Sequence, residues 1–208
     1  TLVAWHAAPG SYAEQVAVDR NRLVAVPEGV DPAVAASMLL QGMTSHYLLH
    51  GVRETKPGDT MVVTAGAGGV GLILTQMAAA EEATVYSVVS SDEKEKLAYE
   101  AGATKVFRYG EDLAEQIKAE NGGGGVDVVY DGVGQDTFEM CLNVTRPRGL
   151  VCSFGSASGD VEPFKIQELN AHGALFLTRP SLKHYVATDD EFLMLSLIHI
   201  SEPTRRTP

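Results

Sequence analysis

Met61-Val-Val-Thr-Ala-Gly-Ala-Gly-Gly-Val-Gly71 leads directly into Leu72-Ile-Leu-Thr-Gln-Met-Ala-Ala-Ala80. The run from Met61 to Thr64 is short, apolar and rich in valine, which is typical of a buried parallel strand. The run from Leu72 to Ala80 consists mainly of good helix formers. The glycines between them have the spacing G-x-G-x-x-G. The pattern therefore predicts a strand, a tight glycine turn and a helix.

Such a turn predicts a phosphate-binding site. The first glycine allows the tight turn, the second lets the backbone approach a pyrophosphate, and the third lets helix and strand pack closely. The helix N-terminus offers N–H groups and the positive end of a dipole. A glycine-rich turn in another α/β protein is the alternative, but the flanking strand and helix favour a dinucleotide site. The residues expected to bind the cofactor here are Gly66, Ala67, Gly68, Gly69, Val70 and Gly71.

The composition narrows the class of protein. The 208 residues are 45% hydrophobic and 21% charged, as in ordinary globular proteins. A net charge of −11 argues against non-specific binding to nucleic acid or to anionic membranes. Cys141 and Cys152 lie in apolar surroundings and form neither a disulfide framework nor a zinc motif, so we interpret them as core residues. The sequence has no bilayer-length apolar run and no signal peptide, and we expect a cytoplasmic protein.

Strands and helices alternate along the rest of the chain. Upstream of the glycine turn, the sequence predicts strands at 2–8, 12–18 and 22–26 and helices at 31–38 and 44–50. Downstream, it predicts strands at 83–89, 105–107, 126–131, 149–154 and 174–178, with helices at 92–100, 111–121 and 137–144. The alternation predicts an α/β fold with a doubly wound parallel Rossmann sheet.

The last segment departs from this pattern. Leu195-Ser-Leu-Ile-His-Ile-Ser-Glu-Pro-Thr-Arg205 resembles the in-frame translation of a sequencing-library adapter. We therefore expect the natural gene to be interrupted near Met194 and residues 195–208 to be a non-native tail. The alternative is a natural tail.

Six stretches resemble a known superfamily and occur in its order: Gly10-Ser-Tyr-Ala-Glu14, Leu40-Gln-Gly-Met-Thr44 with Tyr47-Leu-Leu49, Ala65-Gly-Ala-Gly-Gly-Val-Gly71, Val129-Tyr-Asp-Gly-Val-Gly134, Ser153-Phe-Gly-Ser-Ala-Ser-Gly159 and Leu177-Thr-Arg-Pro-Ser-Leu182. The chain resembles the medium-chain dehydrogenase/reductases, in particular the zinc-independent quinone oxidoreductase (zeta-crystallin-like) branch. The resemblance implies that residues 1–38 are the C-terminal remnant of a GroES-like β-rich catalytic domain. It further implies a Rossmann NADPH-binding domain at 39–182 and the start of a truncated C-terminal helix at 183–194.

The end of the second Rossmann strand indicates which nicotinamide cofactor binds. Val89-Ser-Ser91 supplies no carboxylate for a ribose 2′-OH, and we expect Asp92 to cap the next helix. By the resemblance, Lys94 and Tyr109 contact the 2′-phosphate of NADPH, and Ser90 and Ser91 add hydroxyl donors. A lone Lys94 could instead be a solvated lysine paired with Glu93 or Glu95. The sequence therefore predicts NADPH.

The resemblance also places residues along the rest of the cofactor. It implies that Thr44 lies beside the nicotinamide and that Gly132 and Val133 line the adenosine and ribose side. Phe154, Gly155 and Ser156 would pass under the nicotinamide. The turns at 132–134 and 154–156 follow strand ends, where ligands of open α/β sheets bind. The alternatives are a core aromatic for Phe154 and a capping or turn hydroxyl for Thr44.

A metal distinguishes branches of this superfamily. Its zinc alcohol dehydrogenases insert a four-cysteine lobe before the region matching Gly10 to Glu14, and Thr1 to Pro9 contains no cysteine. His6 is a single histidine, which we interpret as a core or surface residue. We therefore expect no metal, which favours acceptors already primed for hydride. The sequence names no catalytic acid or base.

These observations leave three functions open. The first is an NADPH-dependent quinone reductase with direct hydride transfer, and the second is an NADPH-dependent reductase of activated alkenes such as enones or enoyl thioesters. The third is a non-catalytic crystallin-like or RNA-binding protein, and the acidic charge disfavours RNA. By the resemblance, the strand at Ala174–Thr178 pairs with its copy, so we expect a homodimer.

Overall fold

The computed structural model describes residues 1–201, and their side chains through Ser196. Two compact units share the chain: residues 1–47 with those from 182 onward, and residues 48–181. The strands are β1 (Val3–Ala4), β2 (Val24–Ala25), β3 (Thr60–Val63), β4 (Thr84–Val89), β5 (Lys105–Arg108), β6 (Val126–Asp131), β7 (Thr145–Ser153) and β8 (Phe176–Thr178). The helices are α1 (Pro32–His46), α2 (Gly69–Ala80), α3 (Asp92–Glu100), α4 (Leu113–Glu120), α5 (Phe138–Val144), α6 (Gln167–Ala171) and α7 (Asp189–Ser201).

The second unit is a six-stranded sheet in the order β5-β4-β3-β6-β7-β8, and every pairing is parallel. The predicted doubly wound parallel sheet is confirmed. Its central strands have almost no exposed residues because helices cover a parallel sheet on both faces. Val62, Val88 and Val129 belong to one apolar cluster, with Ile117 of α4 packed among them.

The sheet reverses its direction of growth at β3. From β3 the chain adds β4 and β5 on one side, then crosses over to place β6, β7 and β8 on the other. The carboxyl ends of β3 and β6 therefore lie side by side at the topological switch point. Ligands of open α/β sheets bind at such a crevice.

The first unit contains a two-stranded antiparallel pair, β1 with β2, and the helices α1 and α7. Asp31 caps α1, since its carboxylate accepts from the N–H groups of Ala33 and Val34, and Pro32 follows, as predicted. The helix is longer than predicted, because α1 continues to His46 and passes directly into a π-helical turn, Tyr47–Val52. The predicted domain boundary at residue 39 therefore falls inside a continuous helix, and the units divide between residues 47 and 48.

The strand predicted at 12–18 is wrong. Residues 11–19 contain no strand, and Tyr12 is fully exposed. The apolar alternation in this segment has no partner strand among the described residues, and an extended segment without one cannot form a ladder of hydrogen bonds.

The predicted tail lies partly in α7. This helix continues through residues 195–201, and Leu195 is buried, while residues 202–208 lie outside the described part of the chain. The non-native origin of residues 195–208 stays a prediction. Among the described residues, no helix combines the length and apolar character needed to cross a membrane.

Candidate functional site: the crevice at the carboxyl edge of the sheet

The glycine turn is closely packed against its own backbone. A Cβ added to Gly71 would lie 2.5 Å from Ala65 O and 2.8 Å from the carbonyl carbon of Gly66. A Cβ on Gly66 would lie 2.8 Å from Ser87 Cβ on β4. Only glycine fits at these two positions, so the turn brings the start of α2 against the end of β3.

The N-cap of α2 makes no side-chain hydrogen bond. The helix begins at Gly69, and its N-cap residue Gly68 has no side chain to cap it. The first N–H groups of any helix lack partners within the helix and carry the positive end of its dipole. The glycine turn therefore has both the shape and the polarity to bind a pyrophosphate.

A buried carboxylate shapes the neighbouring turn. Asp131, the last residue of β6, is fully buried, and its Oδ1 accepts from Thr64 Oγ1 and from Thr137 Oγ1, both at 2.7 Å. Its Oδ2 accepts from Gly134 N–H at 2.9 Å. Asp131 thus ties the end of β3 to the turn that contains Gly132 and Val133. Asp131 was not among the predicted site residues, although an aspartate that ends an apolar strand directly before Gly-Val-Gly is a recognisable signal.

The turns after β6 and β7 lie against each other. A Cβ on Gly155 would lie 2.5 Å from Gly132 O, and one on Gly132 would lie 3.1 Å from Phe154 Cζ. Phe154 is only partly buried, so its ring covers a glycine turn instead of filling the core. The structure therefore brings together Gly132, Phe154 and Gly155 at the switch-point edge.

The residues predicted to select NADPH lie at the end of β4. Lys94 Nζ donates to Ser90 Oγ at 3.0 Å, and within the described chain it contacts this serine instead of the neighbouring glutamates. The predicted capping role of Asp92 is wrong, because Ser91 is the N-cap of α3 and its Oγ accepts from Lys94 N–H at 3.3 Å. A hydroxyl caps as well as a carboxylate does, and Ser91 stands one residue earlier with extended backbone. Ser90, Ser91 and Lys94 therefore form one small group of donors.

Arg108 lies close to this group, and the sequence analysis missed it. It ends β5 and lies beside Val89, the last residue of β4. Its Nη2 lies 2.6 Å from Asp92 Oδ1 and 2.6 Å from Glu95 Oε2. No local pattern predicts this arrangement, because the arginine is more than ten residues from either acid in the chain.

Tyr109 joins the end of β5 to the glycine turn. Its hydroxyl oxygen accepts from Ala65 N–H at 2.7 Å. Burial raises the pKa of this phenol, although the bond from Ala65 lowers it in part, so the hydroxyl remains protonated at neutral pH. Tyr109 also lines a cavity of about 560 Å³ with Val133, Thr137 and Met140. Two predicted residues, Tyr109 and Val133, thus face one space between the ends of β5 and β6.

A second cavity, of about 500 Å³, lies at the carboxyl ends of β7 and β8. Gly155 and Ser156 line it together with Phe164 and Arg179. Thr44 belongs to the other unit, where it lies within α1 and its Oγ1 donates to Leu40 O at 2.7 Å. Thr44 is neither of the alternatives, a capping or a turn hydroxyl, because it lies inside α1 and bonds the carbonyl one helical turn earlier.

Among the described residues, no three or more His, Cys, Asp or Glu side chains are grouped so that they could hold a metal ion. His6 is a partly buried residue of the first unit, where burial and then Arg22 lower its pKa. Cys141 and Cys152 are free and fully buried, which confirms their interpretation as core residues. Burial raises the pKa of Cys152 to about 12, so this thiol stays protonated.

Residues 69–193 match the family described as zinc-binding dehydrogenase. Quinone oxidoreductase 1 of Escherichia coli is 40% identical over 191 residues, which are 91% of this chain and 58% of that protein. A 2-haloacrylate reductase from Burkholderia is 39% identical over 186 residues, 88% of this chain and 56% of that enzyme.

Solved structures of similar proteins superpose on this chain. A mycobacterial protein complexed with NADPH superposes with a TM-score of 0.91 at 46% identity, covering 93% of this chain and 60% of that one. Escherichia coli quinone oxidoreductase complexed with NADPH superposes with a TM-score of 0.84 at 40% identity, covering 87% of this chain and 56% of the other. The chain thus spans little more than half the length of the relatives that it matches.

Proposed function

This chain belongs to the family described as zinc-binding dehydrogenase, and we propose that its second unit binds NADPH. Within that family it belongs to the quinone oxidoreductases, a zinc-independent branch of the medium-chain dehydrogenase/reductases. The observation that carries the proposal is the glycine turn at the switch point, where Gly66 and Gly71 leave no room for side chains. This close packing fixes the tight turn and holds the start of α2 against the end of β3, and Gly68 between them lets the backbone approach a pyrophosphate. Two relatives of the same fold have been solved with NADPH bound.

We assign the two ends of the cofactor to the two cavities described above. The adenosine would occupy the cavity between Tyr109 and Val133, where the ring of Tyr109 offers an apolar wall. The nicotinamide end would lie towards Phe154, Gly155 and Ser156. The pyrophosphate would bind at residues 66–71, between these two ends. Thr44 stays a proposed neighbour of the nicotinamide by the family resemblance.

The 2′-phosphate would bind at Ser90, Ser91 and Lys94. Lys94 is held by Ser90 in a position to attract a dianion, and two serine hydroxyls add donors. In an NAD site, a carboxylate at the end of the second strand binds the ribose 2′-OH. Here the residue directly after β4 is Ser90, which has no carboxylate. The chain should therefore prefer NADPH to NADH.

Replacing Lys94 with glutamate tests this assignment. Lys94→Glu should abolish the preference by weakening NADPH binding tenfold or more, about 1.4 kcal/mol, while NADH binding changes little. Lys96→Glu is the matched control, because Lys96 lies on the same helix but pairs with Glu100 at 3.8 Å. Calorimetric titration of both variants with both cofactors gives the answer. An unchanged preference in Lys94→Glu would refute the assignment.

For the reaction, we propose a quinone reductase. Bound NADPH supplies a hydride to an electrophilic acceptor, and the protein orients the two partners. The relatives named quinone oxidoreductase support a quinone as acceptor. The 2-haloacrylate reductase, which is 39% identical, supports the second candidate, reduction of an activated alkene.

The acceptor is tested by comparing kcat/KM for a small quinone with that for an enone and an enoyl thioester, with NADPH oxidation as the readout. A quinone favoured by at least tenfold would support the first candidate. An enone or thioester favoured to that extent would replace it with the second.

A further inference from the structure

The proposed 2′-phosphate site has an electrostatic problem. The first turn of α3 contains three acids, Asp92, Glu93 and Glu95, beside the group formed by Ser90 and Lys94. A phosphate monoester carries nearly two negative charges at neutral pH. Like charges at short range repel it, so Lys94 alone would face more negative than positive charge. A preference for NADPH therefore requires that these acids be offset.

Arg108 is placed to offset two of them. Both carboxylates are held by one nitrogen, Nη2, at 2.6 Å from Asp92 Oδ1 and 2.6 Å from Glu95 Oε2. The guanidinium comes from β5 and not from α3, and the pairing of Arg108 with Val89 fixes it at the end of β4. Its charge does not depend on pH in the physiological range. Arg108 thus brings one permanent positive charge to the face on which the phosphate would bind.

We propose that Arg108 is a specificity-determining residue that acts indirectly. It offsets part of the negative charge of Asp92 and Glu95, so that these two acids repel a 2′-phosphate held at Ser90 and Lys94 less strongly. This inference rests on the proposed NADPH preference and adds to it a residue outside the expected ligand set. Arg108 stays bound to the two acids and is not itself the ligand of the phosphate.

A purely structural ion pair would behave differently. Pairs this exposed contribute little to folding, and the Asp92 side chain is fully accessible. Loss of Arg108 for structural reasons would weaken binding of every adenosine ligand alike. Loss of charge compensation would weaken only the ligand that carries a 2′-phosphate, and the effect would fade with added salt.

The test uses calorimetric titration of the 208-residue chain with two probes, adenosine 2′,5′-bisphosphate and adenosine 5′-monophosphate. In Arg108→Gln the bisphosphate should bind about fivefold more weakly at low salt, because two uncompensated carboxylates then face it. The monophosphate should bind within about twofold of its original affinity. Lys105→Gln is the matched control, since it removes the same charge from the other end of β5, where Lys105 pairs with Glu120 at 3.7 Å.

A variant that lacks the two acids shows whether Arg108 acts through them. In a chain that carries Asp92→Asn and Glu95→Gln, the change Arg108→Gln should have no further effect on the bisphosphate, because both of the carboxylates that Arg108 contacts have been removed. A full fivefold loss in that background would overturn the inference, since Arg108 would then act on the phosphate directly. Equal losses for both probes would overturn it in favour of a structural role.

The unaltered chain separates this inference from the proposed function. If it binds the two probes equally, the NADPH preference and the role of Arg108 are both wrong. If it discriminates between them and Arg108→Gln discriminates equally well, only the role of Arg108 is wrong.

Discussion

Tyr109 makes a contact with the glycine turn that the sequence did not predict. The family resemblance implies that it contacts the 2′-phosphate, yet its hydroxyl accepts the N–H of Ala65 in the glycine turn. Ala65 has a φ of 48°, which is unusual for a residue with a side chain. The bond from Tyr109 therefore helps to hold a strained part of the turn. We expect Tyr109 to act on the pyrophosphate site and the adenosine wall.

Tyr109→Phe tests this role. The change leaves the Ala65 N–H without its acceptor, so both NADPH and NADH should bind about five- to tenfold more weakly, corresponding to a lost hydrogen bond of about 1 kcal/mol. Tyr99→Phe is the control, since Tyr99 hydroxyl accepts from Val106 N–H at 3.4 Å, away from the turn. Titration with both cofactors is the measurement. A loss confined to NADPH would instead support a direct contact with the 2′-phosphate.

At the scale of secondary structure, α2 can start where it does only because Gly71 has no side chain. Gly71→Ala would force a Cβ against Ala65 O and Gly66, so we expect the free energy of unfolding to fall by about 2 kcal/mol. Cofactor binding should fall by more than tenfold as the first turn of α2 shifts. Gly124→Ala is the control, because its Cβ would meet its nearest neighbour at 3.6 Å. Equal stability and binding in the two variants, by urea unfolding and titration, would contradict this account.

The opposite edge of the sheet depends on Asp127. Its Oδ2 accepts from Thr60 N–H at 2.8 Å, and its Oδ1 accepts from Arg146 Nε at 2.7 Å, so one carboxylate joins β3, β6 and β7. Burial alone would raise its pKa, but these hydrogen bonds outweigh burial and hold the pKa below its usual 3.8. Since the folded pKa is depressed, the carboxylate stabilises the fold above the unfolded pKa.

Asp127→Asn should therefore lower the free energy of unfolding by about 1–2 kcal/mol at pH 7. The difference from the unaltered chain should stay constant above the pKa of an unfolded aspartate, about 3.9, and shrink as the pH falls below it through the depressed pKa of folded Asp127. Urea unfolding across this range measures it. Asp112→Asn is the control, because the Asp112 side chain makes no capping bond at α4. A difference that grows towards acid pH would show the opposite linkage.

The elements that the sequence predicted well are those with strong local patterns. Local sequence patterns alone predict the glycine turn and the apolar strands β3, β4 and β6. The alternation of these strands with helices then predicts a parallel sheet. The failures concern contacts that no local pattern records. Residues 12–18 alternate like a strand but find no partner, and the contacts of Arg108 and Tyr109 depend on the order of strands in the folded sheet.

At the scale of the whole molecule, β8 is an edge of the sheet and presents a large apolar side chain. Phe176 on this strand is 64% exposed. Exposed edges invite pairing with another strand, so we keep the proposal of a homodimer through residues 174–178. Phe176→Lys should weaken that dimer by at least tenfold, and light scattering over a concentration series would detect it. An unaltered protein that is monomeric at micromolar concentration would contradict the proposal.

Calorimetric titration of the unaltered chain with NADPH and with NADH shows whether the second unit is a dinucleotide site that prefers NADPH. We expect NADPH to bind at least tenfold more tightly than NADH, a difference of about 1.4 kcal/mol. Equal affinity for the two cofactors would contradict the role of Ser90, Ser91 and Lys94. A chain that is folded by circular dichroism and binds neither cofactor would contradict the site as a whole.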